Sequence, residues 1–175
     1  MRKLMIAVAG TSFLMAGCAE MGDGGPEPAP MADMTPEARG PYVMMAGASD
    51  LYEIRSGQLA QQKAQRPEIR EFGRMLVAHH TETTRQVTAA ARASGMNPPP
   101  PRLMPMHRSM MRDLRQASGA AFDQVFLRQQ ATAHQMALDL HSNYSRAGDA
   151  PALRAAASGA VPVVTQHLER VRQLD

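Results

Sequence analysis

The sequence holds one cysteine, Cys18, which excludes an internal disulfide and any cysteine-built metal site. It has no tryptophan, and its three tyrosines and four phenylalanines are its whole aromatic content. A core must therefore come mainly from aliphatic residues, methionine and alanine, a composition that favours helix. One-sided charge is also lacking. There are 19 basic and 16 acidic residues, and loss of Arg2 and Lys3 with a leader would leave 17 against 16. That balance excludes a nucleic-acid reading based on charge. No nucleophile elbow, phosphate loop or dinucleotide turn is present. His79-His80-Thr81-Glu82 lacks the spacing of a zinc-protease helix, which needs histidines four apart. These absences lean away from an enzyme.

What is there begins with a leader. Arg2 and Lys3 precede a short apolar run, Leu4 to Met15, too short to span a membrane. Ala16-Gly17-Cys18 then resembles the bacterial lipoprotein signal, in which the cysteine becomes a lipidated N-terminus. Residues 1–17 are read as the signal and 18–40 as lipidated terminus plus linker. The linker holds Gly22, Gly24, Gly25, Pro26, Pro28, Pro30 and Pro36. At full stretch it reaches about 70 Å. The chain is expected to be a lipid-anchored envelope protein, with the outer membrane favoured by Ala19 and the folded domain in the periplasm.

Residues 41–175 read as helices. Pro41 opens a first one to about Gln65, with Met45, Ala48, Tyr52 and Leu59 as its apolar stripe. Arg66-Pro67 starts a second, which stops at Gly95. Four prolines, Pro98 to Pro101, mark a loop, and Leu103 to Ala117 is a short helix. A long helix follows from Gly119. Its apolar stripe is flanked by Asp123, Gln130, His134 and His141, stacked on one side and expected to face inward. Asp149 is expected to cap the last helix, and Pro162 to kink it. Four long amphipathic helices plus one short one predict an all-α, up-and-down four-helix bundle.

Each long helix offers polar groups that lean inward: Glu53, His79 or His80, Asp123 with His134, and His167. Counted from the turns, Glu53 and His80 fall at about 18 and 21 Å, and His134 and His167 at about 22 and 28 Å. Imidazoles with one or two carboxylates suit a mononuclear transition-metal site for zinc, copper, iron or nickel. The alternative is a metal-free structural network of buried His–acid pairs, serving an interaction module. A separate candidate is the cluster Met104, Met106, His107, Met110 and Met111, whose thioethers would select Cu(I). The same methionines could simply pack a covering helix.

Several segments together resemble the bacterial domain-of-unknown-function family 4142, described as outer-membrane or exported proteins with a ferritin-like fold. They are Leu51-Tyr52-Glu53-Ile54, Phe72-Gly73-Arg74-Met75-Leu76-Val77-Ala78-His79-His80-Thr81, Gly119-Ala120-Ala121-Phe122-Asp123 with His134, and Val161-Pro162 with His167. The resemblance implies a ferritin-like bundle and makes Glu53, His80, Asp123, His134 and His167 the characteristic polar residues. Di-iron bundles use Glu-x-x-His, and here Val77, Ala131 and Val164 stand three before the histidines. Oxidase or iron-storage activity is therefore not carried over.

Overall fold

A computed structural model describes residues 36–175. The leader, Cys18 and the tether up to residue 35 lie outside the described residues. Every regular element among the described residues is a helix: α1 Arg39–Lys63, α2 Pro67–Ala93, α3 Pro105–Gln116, α4 Gly119–Ala147 and α5 Pro151–Leu174. None is long and apolar enough to cross a membrane.

The four long helices form a ring in which α1 packs on α2 and α4, and α5 packs on α4 and α2. Two contacts fix their directions. The Asp123 carboxylate, at the start of α4, accepts the backbone N–H groups of Gln65 and Arg66 at 3.0 and 3.1 Å. The Arg66 guanidinium donates to the carbonyl of Leu174, at the end of α5, at 2.7 Å. The α1–α2 junction, the start of α4 and the end of α5 thus share one end of the bundle. Neighbours in the ring are all antiparallel, and the proline segment with α3 carries the chain back between α2 and α4. One long crossover of this kind is the ferritin-like connection.

Local chemistry explains the boundaries. Pro67, Pro105 and Pro151 occupy first turns, where a missing N–H costs nothing. Gly95 ends α2 at φ 76°, with Met96 N–H on the Ala91 carbonyl and Gly95 N–H on that of Arg92. That pair is the Schellman closure, and the left-handed φ is why glycine stands there. One expectation fails locally. Asp149 does not cap α5, whose N-cap is Ala150 with no side-chain bond. Its carboxylate instead accepts the Tyr144 hydroxyl at 2.9 Å and Arg39 Nε at 3.2 Å. Helix α5 holds Pro162 inside its span. Helix α1 begins at Arg39, just ahead of Pro41, and the Glu37 carbonyl accepts Asp149 N–H at 2.9 Å.

The core is split along the bundle axis. One apolar cluster, near the α1–α2 junction, includes Tyr52, Ile69, Phe72, Leu76, Phe122 and Phe126. The other, at the far end, includes Tyr42, Val87, Leu140, Tyr144, Leu153 and Ala157. Near the boundary of these clusters each long helix buries polar residues: Asp50 and Glu53, His80 and Thr83, Gln130 and His134, and His167. A bundle that only needed stability would fill this layer with hydrocarbon, since buried charge rarely stabilises more than well-packed apolar residues. The polar layer is therefore the place to look for function.

Candidate metal centre

Three imidazoles from three helices converge in this layer. His80, His134 and His167 each offer a ring nitrogen, and the offered atoms lie within 4.8 Å of one another. All three side chains are buried. His134 Nε2 and His167 Nδ1 approach to 3.2 Å. Two ligands on a tetrahedral ion at 2.0–2.1 Å would stand about 3.3 Å apart, so this spacing is already near what an ion requires.

The other nitrogen of each ring is held by a partner. His80 Nδ1 lies 2.8 Å from Asp50 Oδ1, and Asp50 also accepts the hydroxyls of Thr83 and Thr84 at 2.9 and 3.0 Å. His134 Nδ1 donates to the Gln130 carbonyl at 2.9 Å. His167 Nε2 lies 2.8 Å from His79 Nδ1. Partners of this kind fix the tautomer and ring orientation of metal-ligating histidines. They leave Nε2 of His80 buried with no hydrogen-bond partner. Phe72 closes the layer on one side, its ring centre 6.0 Å from that of His167 and 6.3 Å from that of His134.

The electrostatics suit a cation. Glu53 is fully buried, neither carboxylate oxygen has a hydrogen-bond partner, and Oε1 stands 3.9 Å from His134 Nδ1. Burial pushes its carboxyl up to about 7, against the opposing charge of His80. Burial would lower His80, but the Asp50 hydrogen bond and the charges of Asp50 and Glu53 outweigh it and hold the ring above its usual value. Burial lowers His134 to about 3, helped by the charge of His80, and it depresses His167 in the same way. Both rings therefore stay neutral, and each can offer a lone pair to an ion that replaces the hydrogen bond between His134 Nε2 and His167 Nδ1.

The predicted site residues thus separate into groups. His80, His134 and His167 meet, with Glu53 beside them. Asp123 does not join them, because both of its oxygens are committed to the α1–α2 junction. His79 is half-buried and serves His167 from behind, so both members of the His79-His80 pair are used. The methionine cluster does not act as one unit. Met106 is exposed, and Met111 is packed among core residues with Met110 against it. Met104 and His107 instead line a small cavity with Met45 and Met136. The sequence reading missed Asp50, although it stands three residues before Glu53 and helical spacing puts the two on one face.

The fold and this layer define a class: a ferritin-like four-helix bundle with a buried histidine cluster in place of paired Glu-x-x-His motifs. The chain belongs to DUF4142, a family of domains of unknown function, whose sequence profile matches residues 25–174. No functionally curated protein matches the chain. Among solved structures it is similar to CopM in the Cu(II)-bound form, at 20% identity and a TM-score of 0.67, covering 78% of this chain and 94% of that one. The Cu(I)-bound form of CopM gives 20% identity and a TM-score of 0.65 over the same shares of the two chains. The apo form gives 19% and 0.63, again over 78% and 94%. At this identity the likeness shows the bundle fold.

Proposed function

We propose that this chain is a metal-handling protein of the bacterial envelope that holds one transition-metal ion, copper in the first instance, on His80, His134 and His167. The observation that carries the reading is the convergence of three buried imidazole nitrogens within 4.8 Å, with every opposite nitrogen held by a partner. Imidazole sites suit copper, zinc, iron and nickel, and copper forms the tightest complexes of the divalent series. The CopM structures solved with copper support the choice of ion. Glu53 supplies the compensating negative charge. His79 is placed to take the His167 Nε2 proton when His167 Nδ1 serves as a ligand. Lipidation at Cys18 would hold the domain on the outer membrane, facing the periplasm, where copper from outside arrives first. Among the described residues the three histidines form one site, and the role this supports is binding of the ion.

The test is metal content by mass spectrometry on the purified chain without a histidine tag, beside a variant with His134→Ala and His167→Ala. Both are loaded with Cu(II), Zn(II) and Fe(II) in turn. Near-stoichiometric copper in the parent, lost in the variant, supports the site. Equal uptake of every ion by both chains, or by neither, overturns it.

A further inference from the structure

We propose a second metal site, of soft character, formed by the thioethers of Met45, Met104 and Met136 with the imidazole of His107, and taking a monovalent ion such as Cu(I) or Ag(I). These residues line one cavity of about 20 Å³ between α1, α3 and α4. That volume is about one water-sized sphere, so it admits a single ion and no larger ligand. The methionines come from positions far apart in the chain, Met45 on α1, Met104 at the N-cap of α3 and Met136 on α4. Only the fold brings them together.

The donor set decides the ion. Three thioethers and one imidazole form a soft set that selects Cu(I) over harder ions. No carboxylate lines the cavity, so a dication would be buried without compensation, whereas a monocation costs far less. His107 is the second observation. It is buried, its Nδ1 has no hydrogen-bond partner, and its ring is stacked on Tyr52 with centres 5.3 Å apart. An orphaned buried nitrogen costs about 1–3 kcal/mol, a penalty that an apolar side chain would avoid. Burial pulls the ring down to about 4, so it stays neutral with a lone pair to offer.

The site is independent of the histidine centre. Ala133, Met136 and Ala137 face this cavity, while His134 on the same helix reaches His167. Tyr52, under His107, is the residue before Glu53. The two sites thus share α1 and α4, one built of sulfur and the other of nitrogen.

Silver(I) is the probe, because it is soft and does not change oxidation state. The full chain is loaded with one equivalent and its silver X-ray absorption recorded, which needs no variant to fold. Sulfur in the first shell is expected, and a shell of nitrogen and oxygen alone overturns the proposal. A variant with Met45→Leu, Met104→Leu and Met136→Leu conserves side-chain volume and is expected to lose that silver ion while its Cu(II) uptake is unchanged. Undiminished silver affinity in that variant also overturns the proposal. The variant with His134→Ala and His167→Ala is expected to keep its sulfur-bound silver, so failure of the histidine centre reads separately.

Discussion

Asp50 Oδ1 accepts a hydrogen bond from His80 Nδ1 at 2.8 Å, across the α1–α2 interface. This bond decides which nitrogen of His80 is free, because a carboxylate oxygen accepts and Nδ1 must then carry the hydrogen. Nε2 is left buried and without a partner. The bond also aims the ring, since Asp50 is itself braced by the hydroxyls of Thr83 and Thr84.

Asp50→Asn tests that relationship. The asparagine keeps the volume but loses the charge, and it can turn its amide toward Nδ1. Removing such a partner of a ligating histidine costs roughly 10- to 100-fold in metal affinity. Calorimetric titration with Cu(II) is expected to show that loss, while circular dichroism shows an intact bundle. Unchanged affinity would mean that Asp50 serves only the α1–α2 interface.

Glu53→Gln should have opposite effects with and without metal. Glu53 is buried with both oxygens unpartnered, an arrangement that costs the metal-free chain stability. The neutral amide relieves that cost. We expect the metal-free variant to gain ~1 kcal/mol, a rise of about 2–4 °C in Tm. The copper-induced rise in Tm should shrink, because the ion has lost its nearby negative charge. A metal-free variant that melts lower, with the copper effect intact, would show that Glu53 stabilises the polar layer itself.

Much of this arrangement was legible in the chain. Proline and glycine punctuation marks the helix ends, and a rise of 1.5 Å per residue sets Glu53 level with His80, and His134 near His167. Asp123 misled because it shares a stripe with His134. Eleven residues of helix separate the two, about 16 Å, which puts Asp123 in a different layer. Its role is to satisfy the exposed N–H groups at the start of α2, a need that the sequence of α4 alone does not reveal. The methionine cluster is spread over different parts of the fold. A local window gathered Met106, which is exposed, with Met110 and Met111, which pack in the core cluster near the α1–α2 junction, and it missed Met45 and Met136, which only tertiary packing brings to Met104.

The α1–α2 contact that sets the height of Glu53 against His80 rests on two glycines. A Cβ on Gly73 would meet the Gly57 carbonyl oxygen at 2.7 Å and Ala60 Cβ at 2.9 Å, and one on Gly57 would meet the Gly73 carbonyl oxygen at 2.7 Å. The obstacle is backbone, which cannot swing aside as a side chain can. Gly73→Ala is expected to cost ~1–3 kcal/mol by overpacking. It should weaken copper binding as well, by separating the helices that carry Glu53 and His80. Gly159, inside α5, has nothing within 4 Å of a built Cβ. Gly159→Ala should stabilise by about 0.5–1 kcal/mol through helix propensity alone. Thermal melts of the two variants should therefore move in opposite directions, and a shared direction would refute the close-approach account.

Acid should unfold the bundle through His141 as well as through the centre. His141 is buried, and its Nδ1 lies 3.1 Å from the Tyr42 hydroxyl, beside the stacked pair Tyr42 and Tyr144. Burial lowers its pKa to about 4, opposed by the charge of Asp50 and reinforced by that of His80. In the unfolded chain an ordinary histidine titrates near 6.5, so between those values the unfolded state binds the extra proton. The stability from keeping this ring neutral is therefore complete above about pH 6.5 and is lost as the pH falls toward about 4. One pKa unit corresponds to about 1.4 kcal/mol, so the whole window is worth on the order of 3 kcal/mol. His141→Gln should flatten the fall of unfolding free energy between pH 6.5 and 4.5 by close to one bound proton, measured by urea titration at each pH. The same slope in both chains would mean that His141 is protonated in the folded state, and that its contact with Tyr42 is made by a charged ring.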